Sequence, residues 1–164
     1  MGKNSITRGN ASQFFVAGEL CRRGYAAVVT LGNTKNTDVL CSNQDGTKFV
    51  HIQVKTYIPG NSTCPLANKE LKKYGENFFW VLSGIPIPEM KRDFEYYIIP
   101  SDIMADNANK EYDKWRKGRE GDKISTLRTV YLPDRLKKDR WNISEYKNRW
   151  DLIEEKLTTT IESE

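Results

Sequence analysis

Residues that commonly carry catalysis or bind transition metals are scarce in this chain of 164 residues, which has one histidine, His51, and three cysteines. Cys21, Cys41 and Cys64 form no CxxC pair, so neither a zinc cluster nor a disulfide framework is expected. A catalytic Ser–His or Cys–His pair would have to use His51. Chemistry based on oxygen ligands and a hard metal ion remains open, as does a protein without catalysis.

Long apolar runs are also missing. The densest run spans five residues, 78–82, whereas a membrane-spanning helix needs about 18. The first residues lack the apolar region of a signal peptide, so we expect a cytoplasmic protein without a membrane span. The length fits one domain of the usual ~100–200 residues, and the composition of 38% hydrophobic and 29% charged residues is that of a globular protein.

The net charge of +4 is unevenly distributed along the chain. Residues 110–150 contain thirteen Lys or Arg and seven Asp or Glu, a net charge of +6, so the remainder of the chain sums to −2. Basic side chains beside Trp115, Tyr131 and Trp141 would attract phosphates without sequence preference. The alternative is a solvated surface that binds nothing.

The N-terminal region predicts a helix capped by Asn10 or Ser12 and ended by Gly24. Its residues from Phe14 to Cys21 are nonpolar with one exception, Glu19, so we expect a helix buried around most of its circumference. A buried carboxylate is costly unless it is paired, hydrogen-bonded or bound to a cation.

Three strands are predicted next, over residues 25–31, 37–42 and 47–56, followed by a short helix over 66–74 and a strand over 78–83. The element order is therefore αβββαβ. A further strand, 94–100, and helices complete the chain, and residues 158–164 form a polar tail.

Polar residues interrupt this pattern on the second and third strands. Gln53 and Lys55 project from the same face of the third strand, about 6.6 Å apart along the chain. Asp38 begins the second strand, and the hairpin places this start beside the end of the third. The three side chains are therefore expected to converge. Gln13 could orient substrate or water, or be merely a polar residue of the helix, and His51 could contact a phosphate or be an ordinary strand residue.

This arrangement resembles the restriction-endonuclease-like, or PD-(D/E)XK, nuclease superfamily. The resemblance covers residues 10–100 and rests on Glu19, on Asp38 in Thr37-Asp38-Val39, and on Gln53-Val54-Lys55. It implies an α/β fold with a mixed sheet flanked by helices. The chain departs from the family pattern at Thr37, where a proline would precede the aspartate, and at Gln53, which replaces an acid as in the QxK form of resolvase-like and Mrr-like branches.

The resemblance also implies a Mg²⁺-dependent DNA endonuclease, for which Mn²⁺ is a possible substitute. Its metal ligands would be Asp38, the side-chain oxygen of Gln53, the carbonyl of Val54 and Glu19, a set of oxygens that suits Mg²⁺. Lys55 would lie near the attacking water. The residues expected to bind nucleic acid are Lys35, Arg116, Lys117 and Arg119.

The whole chain, 1–164, is predicted to be one nuclease-like domain with a core at about 10–100 and a basic elaboration at about 101–157. Members of the superfamily often act as dimers, so a homodimer bound to DNA is expected. One alternative is a weakly active or inactive nucleic-acid-binding protein with the same fold. Another is an interaction protein in which Asp38 and Lys55 form only a cross-strand ion pair.

Overall fold

The computed structural model describes residues 2–32, 34–119, 121 and 125–158, so most of the predicted tail, 159–164, lies outside the described residues. Within these ranges the helices are α1 (Gly2–Arg22), α2 (Ser101–Arg116) and α3 (Asp151–Leu157). The strands are β1 (Ala26–Val29), β2 (Val39–Ser42), β3 (Phe49–Tyr57), β4 (Thr63–Ala67), β5 (Phe78–Gly84), β6 (Glu95–Pro100) and β7 (Arg128–Tyr131).

Five strands form one mixed sheet in the order β1-β2-β3-β5-β6. Neighbouring strands are antiparallel except for β3 and β5, which run parallel. Val39 lies opposite Ile52, so β2 begins beside the middle of β3. This register leaves the second half of β3 without a strand on the β2 side.

Helices cover both faces of the sheet, which confirms the predicted α/β fold with a mixed sheet. On one face, the aliphatic side chains of β3 pack with α1 and α3 through Val16, Leu20 and Ile153. On the other face, a two-stranded antiparallel ribbon of β4 and β7 packs with α2. β5 is buried along its whole length because both of its faces are covered.

The predicted helix over 66–74 is wrong. The segment instead contributes to β4 and then continues as a loop. Cys64 and Leu66 are buried and Thr63 and Pro65 are not, which is the two-residue period of a strand. The composition of residues 66–74 favoured a helix, but the pairing of β4 with β7, distant in sequence, determines the structure.

The first helix is longer and less buried than its sequence predicts. It begins at Gly2, upstream of the predicted caps, and buries a stripe along one face that includes Val16 and Leu20. Phe14 and Phe15 are exposed, so the helix is not enclosed around most of its circumference. The predicted burial was too extensive because it counted every apolar residue of the helix as buried, whereas exposed apolar side chains are common in folded proteins.

Arg8 connects α1 to the ends of the two parallel strands. Its Nη2 donates hydrogen bonds to the carbonyl oxygens of Tyr57, at 3.2 Å, and Ile85, at 3.0 Å. The Tyr57 carbonyl lies at the end of β3, and the Ile85 carbonyl lies just after the end of β5. At these ends the hydrogen bonds between the strands no longer satisfy every backbone group. The helix is therefore positioned by a polar contact as well as by its apolar stripe.

Replacing Gly84 by alanine is expected to destabilise the protein by about 1–3 kcal/mol, because the packed core resists added volume. The new methyl group would lie 2.7 Å from Cζ of the buried Tyr57 ring. The measurement is the free energy of unfolding in a denaturant titration.

Gly18→Ala is the matched control. Gly18 is an exposed position of α1 with no neighbouring atom within 4 Å of an added methyl, so this change is expected to raise stability by about 0.5–1 kcal/mol. An equally stable Gly84→Ala protein would contradict the packing of Tyr57 against β5.

Candidate active site at the start of β2

Asp38 lies immediately before β2, at the point where β2 and β3 separate. Its backbone N–H donates to the carbonyl of Ile52 at 2.9 Å, so the main chain is fixed to β3. The β2–β3 register then places Asp38 next to Gln53. The predicted convergence of these two residues is present in the structure.

Three N–H donors from two elements surround the Asp38 carboxylate. Nε2 of Gln13, on α1, donates to Oδ1 at 3.1 Å. Oδ2 accepts the backbone N–H of Val54 at 2.8 Å and the side-chain amide of Gln53. The carboxylate thus connects the helix to β3, and its half-buried position is compensated by hydrogen bonds.

The carbonyl of Val54 faces the same gap. The N–H of His51 and the carbonyl of Tyr57 both bond toward β5, so the even-numbered residues of β3 direct their backbone groups toward β2. Because β2 starts at Val39, opposite Ile52, the Val54 carbonyl lies beyond its end. An oxygen in this position can serve as a ligand beside Asp38.

Lys55 projects from the face of β3 that carries Gln53. Burial raises the pKa of Asp38 above its ordinary value, while the Val54 N–H and the positive charge of Lys55 oppose that rise. Within the described ranges, Lys55 forms no ion pair. The Asp38–Lys55 ion pair expected for an interaction protein is therefore not formed. The Lys55 ammonium remains available to bind an anion.

The donor set at Asp38 fits a weak Mg²⁺ site better than a tight one. Among the described residues, no group of three or more His, Cys, Asp or Glu side chains could hold a metal ion. Mg²⁺ commonly uses one or two carboxylates and keeps several waters. Asp38, the Val54 carbonyl and the amide oxygen of Gln53 suit it, provided that the Gln53 amide turns its oxygen, rather than its NH₂ group, toward the gap.

Glu19 lies outside this cluster. Its carboxylate accepts hydrogen bonds from Arg22, at 2.8 Å, and Arg23, at 2.9 Å, and these bonds, that of Arg22 foremost, lower its pKa. Glu19 also shares a surface pocket with Tyr96 of β6, and β3 and β5 separate β6 from β2. The sequence-based expectation that Glu19 would join the site is therefore not met.

Gln13 is the α1 residue that does reach Asp38. A sequence signal for this exists, because Gln13 precedes Val16 and Ala17 by three and four positions and these are buried residues facing the sheet. The resemblance implies a carboxylate on this helix, whereas the α1 side chain that contacts Asp38 is the amide of Gln13.

The single histidine does not contact Asp38 in the described structure. Nδ1 of His51 lies 3.2 Å from the hydroxyl of Thr37, and the ring is exposed. The contact links the residue before Asp38 to β3, which is a structural role.

The cations expected to bind nucleic acid are all exposed. Lys35 lies in the loop that precedes Asp38. Arg116, Lys117 and Arg119 lie at the C-terminal end of α2, on the face of the sheet shared with Gln53 and Lys55. They form a separate basic surface, and no contact joins them to Asp38 in the described part of the chain.

The fold is similar to that of a bacterial homing endonuclease, I-Ssp6803I. The likeness covers 93% of each chain, with a TM-score of 0.53 and 16% sequence identity, and at this identity it shows a nuclease-like fold alone. No family model matches the sequence. No curated protein matches it either.

None of the described helices is both long enough and apolar enough to cross a membrane.

Asp38→Asn is expected to lower the Tm at pH 7, because the carboxamide has a single acceptor oxygen and its NH₂ group must face at least one of the N–H donors that now bond to the carboxylate. The raised pKa of Asp38 means that the folded protein binds this proton more tightly than the unfolded chain, so the wild type gains stability from this group as the pH falls through the raised pKa. Asparagine does not titrate and has no such gain. The measurement is the difference in Tm between variant and wild type at pH 7 and pH 4.5, which should widen at the lower pH. An Asp38→Asn protein as stable as the wild type at pH 7 would contradict the hydrogen bonding of this carboxylate.

Proposed function

We propose that this protein is a Mg²⁺-dependent DNA endonuclease of the PD-(D/E)XK type in its QxK form. The proposal is supported by the convergence of Asp38, Gln53 and the Val54 carbonyl in the gap beside β3. Lys55 lies two residues beyond Gln53 on the same face of that strand. Each of these groups has a chemical use in phosphodiester hydrolysis. The similarity in fold to a homing endonuclease agrees with the same activity.

The Asp38 carboxylate, the amide oxygen of Gln53 and the Val54 carbonyl would hold Mg²⁺, or Mn²⁺ in its place. When bound, the ion supplies charge neutralisation for the phosphate and lowers the pKa of a water molecule. Since the described residues place one carboxylate, that of Asp38, in this gap, DNA phosphate oxygens are needed to complete the site. We therefore expect metal and DNA to bind more tightly together than separately.

Lys55 and Gln13 have different parts in the proposed reaction. The Lys55 ammonium, which lacks an ion-pair partner among the described residues, orients the attacking water and stabilises the negative charge that develops on the phosphate. Gln13 is a positioning residue, because it contacts Oδ1 of Asp38 and thereby sets the direction of the carboxylate.

DNA cleavage tests the proposal directly. Supercoiled, linear and branched DNA are incubated with the protein in Mg²⁺ or Mn²⁺, and cleavage is followed on gels. Asp38→Asn and Lys55→Ala are each expected to lower the rate by at least about 10²-fold, the scale of removing one electrostatic contact in a transition state. Lys91→Ala, which removes an exposed cation of the β5–β6 connection, controls for the loss of charge and should cleave normally.

Glu19→Ala distinguishes the site seen in the structure, which excludes Glu19, from the site expected from the sequence, which includes it. This change is expected to leave cleavage intact and to lower stability by about 0–1 kcal/mol, because it removes partly exposed ion pairs with Arg22 and Arg23. Cleavage that persists in Asp38→Asn or Lys55→Ala would place the activity elsewhere.

Gln53→Glu is expected to lower the Mg²⁺ concentration needed for half-maximal cleavage, because it adds a negative charge to the metal site. Without metal, the new carboxylate lies against Asp38, and like charges disfavour ionisation. The apo variant should therefore melt below the wild type at pH 7, and saturating Mg²⁺ should raise its Tm more than it raises that of the wild type. An unchanged Mg²⁺ dependence would remove Gln53 from the metal site.

A weakly active or inactive DNA-binding protein is the second candidate, favoured by the amide at Gln53 and the single nearby carboxylate. Salt-dependent DNA binding without cleavage under any of these conditions would support it. A homodimer in which each subunit cuts one strand is also part of the proposal, and sedimentation of the DNA complex would test that stoichiometry.

A further inference from the structure

A groove lies between the last turns of α2 and the outer face of the β4–β7 ribbon. Its volume is about 260 Å³. Residues from the helix, from the ribbon and from the segment that leads into β7 line it, namely Thr63, Glu111, Tyr112, Trp115, Ser125, Leu127, Thr129 and Tyr131. Aromatic rings form much of this lining, in a segment of the chain with excess positive charge.

Each of the three aromatic rings of the groove has an arginine against it. The guanidinium carbon of Arg128 is 3.6 Å from the centre of the Tyr112 ring, and that of Arg140 is 4.6 Å from Tyr131. Arg119 lies 4.9 Å from the centre of the Trp115 ring. Such contacts are favourable and hold both partners in a defined orientation.

All three arginines have a polar partner as well. Arg128 donates to the carbonyl of Thr126 at 2.8 Å, Arg140 donates to the buried carboxylate of Glu111 at 3.1 Å, and Arg119 donates to the carbonyl of Trp115. Arg128 and Arg140 hold the walls of the groove together, whereas the exposed Arg119 lies against Trp115, which is half-buried.

The cations at the end of α2 have no carboxylate partner among the described residues. Arg116, Lys117 and Arg119 are exposed, and none of them forms an ion pair with another described residue. Because Arg119 lies against the Trp115 ring, it brings positive charge to that end of the aromatic groove. Aromatic rings beside uncompensated cations are the combination that binds bases and phosphates of a single strand.

The groove is also connected to the candidate active site. Thr63 lines it, while the next residue of β4, Cys64, faces the sheet. Cys64 packs in the same core cluster as Tyr57, and Lys55 precedes Tyr57 by two residues on the same face of β3. One ribbon therefore separates the groove from Lys55.

We propose that this groove binds a single-stranded segment of the nucleic acid, with a base stacked on Trp115 and its phosphates contacted by Arg116, Lys117 and Arg119. The proposal rests on the proposed function in that it takes DNA as the ligand, and it adds that unpaired nucleotides are preferred. A duplex keeps its bases stacked inside, whereas a single strand can extend one base into a narrow groove.

Binding is measured in EDTA, so that cleavage plays no part. The probe is a fluorescein-labelled oligothymidylate of about 12 nucleotides, a typical length for such sites, compared with a duplex of equal length by fluorescence anisotropy. The wild type is expected to bind the single strand more tightly. Trp115→Ala should weaken single-strand binding on the order of tenfold or more, the scale of one stacked base, and Trp115→Phe should retain most of the affinity.

Tryptophan fluorescence gives a second readout with unlabelled oligothymidylate. Stacking on Trp115 should quench part of the emission, and Trp115→Phe should abolish that quenching. Trp141→Phe is the matched control, because Trp141 is also half-buried but packs on Tyr146 outside the groove. Quenching that survives in Trp115→Phe would overturn the proposal.

The charged end of the groove is tested by salt dependence. Replacing Lys117 and Arg119 together by alanine should reduce the slope of log affinity against log salt by about 1.4, for two single-strand phosphate contacts, whereas Lys91→Ala should leave it unchanged. Equal affinity for duplex, or unchanged binding in both Trp115→Ala and the double variant, would overturn the groove proposal. Groove-dependent binding in a wild type that never cleaves would instead overturn only the endonuclease proposal.

Discussion

The Asp38 carboxylate connects the parts of the structure on which the candidate site depends. It accepts N–H groups from α1, from the Gln53 side chain and from the β3 backbone. Its position follows from the start of β2 opposite Ile52, which leaves β3 beyond that residue without a strand on the β2 side. A backbone group that would ordinarily bond to a strand bonds to a side chain instead, and the opened edge admits a ligand. The same carboxylate that completes the fold is therefore the group proposed to bind the metal.

The faces of β3 and the pairing of Asp38 with Gln53 could be predicted from the sequence, because both depend on residues close together in the chain. The alternation of Val50, Ile52 and Val54 gave β3 its faces, and the hairpin placed Asp38 beside Gln53, as the structure confirms. The two errors have different causes. Whether residues 66–74 form a helix depends on β7, more than fifty positions away, and no short window of sequence contains this relation. The choice of Gln13 over Glu19 does have a local signal, the spacing of Gln13 from the buried Val16 and Ala17, but the resemblance to a nuclease family favoured a carboxylate.

The two faces of the sheet have separate tasks in this arrangement. The face covered by α1 and α3 is aliphatic, and it holds the strands in register. The opposite face is covered by the β4–β7 ribbon and α2, whose outer surfaces bear the aromatic groove and the exposed cations. Because Lys55 and Gln53 project toward this second face, a nucleic acid bound to the ribbon would approach them from the same side. The ribbon that stands in place of the predicted helix thus covers the core and bears the surface proposed to bind nucleic acid.

Arg8 and Gln13 anchor α1 at two separate points of the sheet, so the distance between them along the helix is fixed. Arg8 meets the carbonyls of Tyr57 and Ile85, and Gln13 meets Asp38. A residue inserted between them would shift one contact by about 1.5 Å along the axis and rotate it by about 100°, so both could not be kept. Insertions or deletions in this chain should therefore be tolerated before Arg8 but not between Arg8 and Gln13. The spacing of these two polar residues would identify distant relatives whose overall identity has been lost.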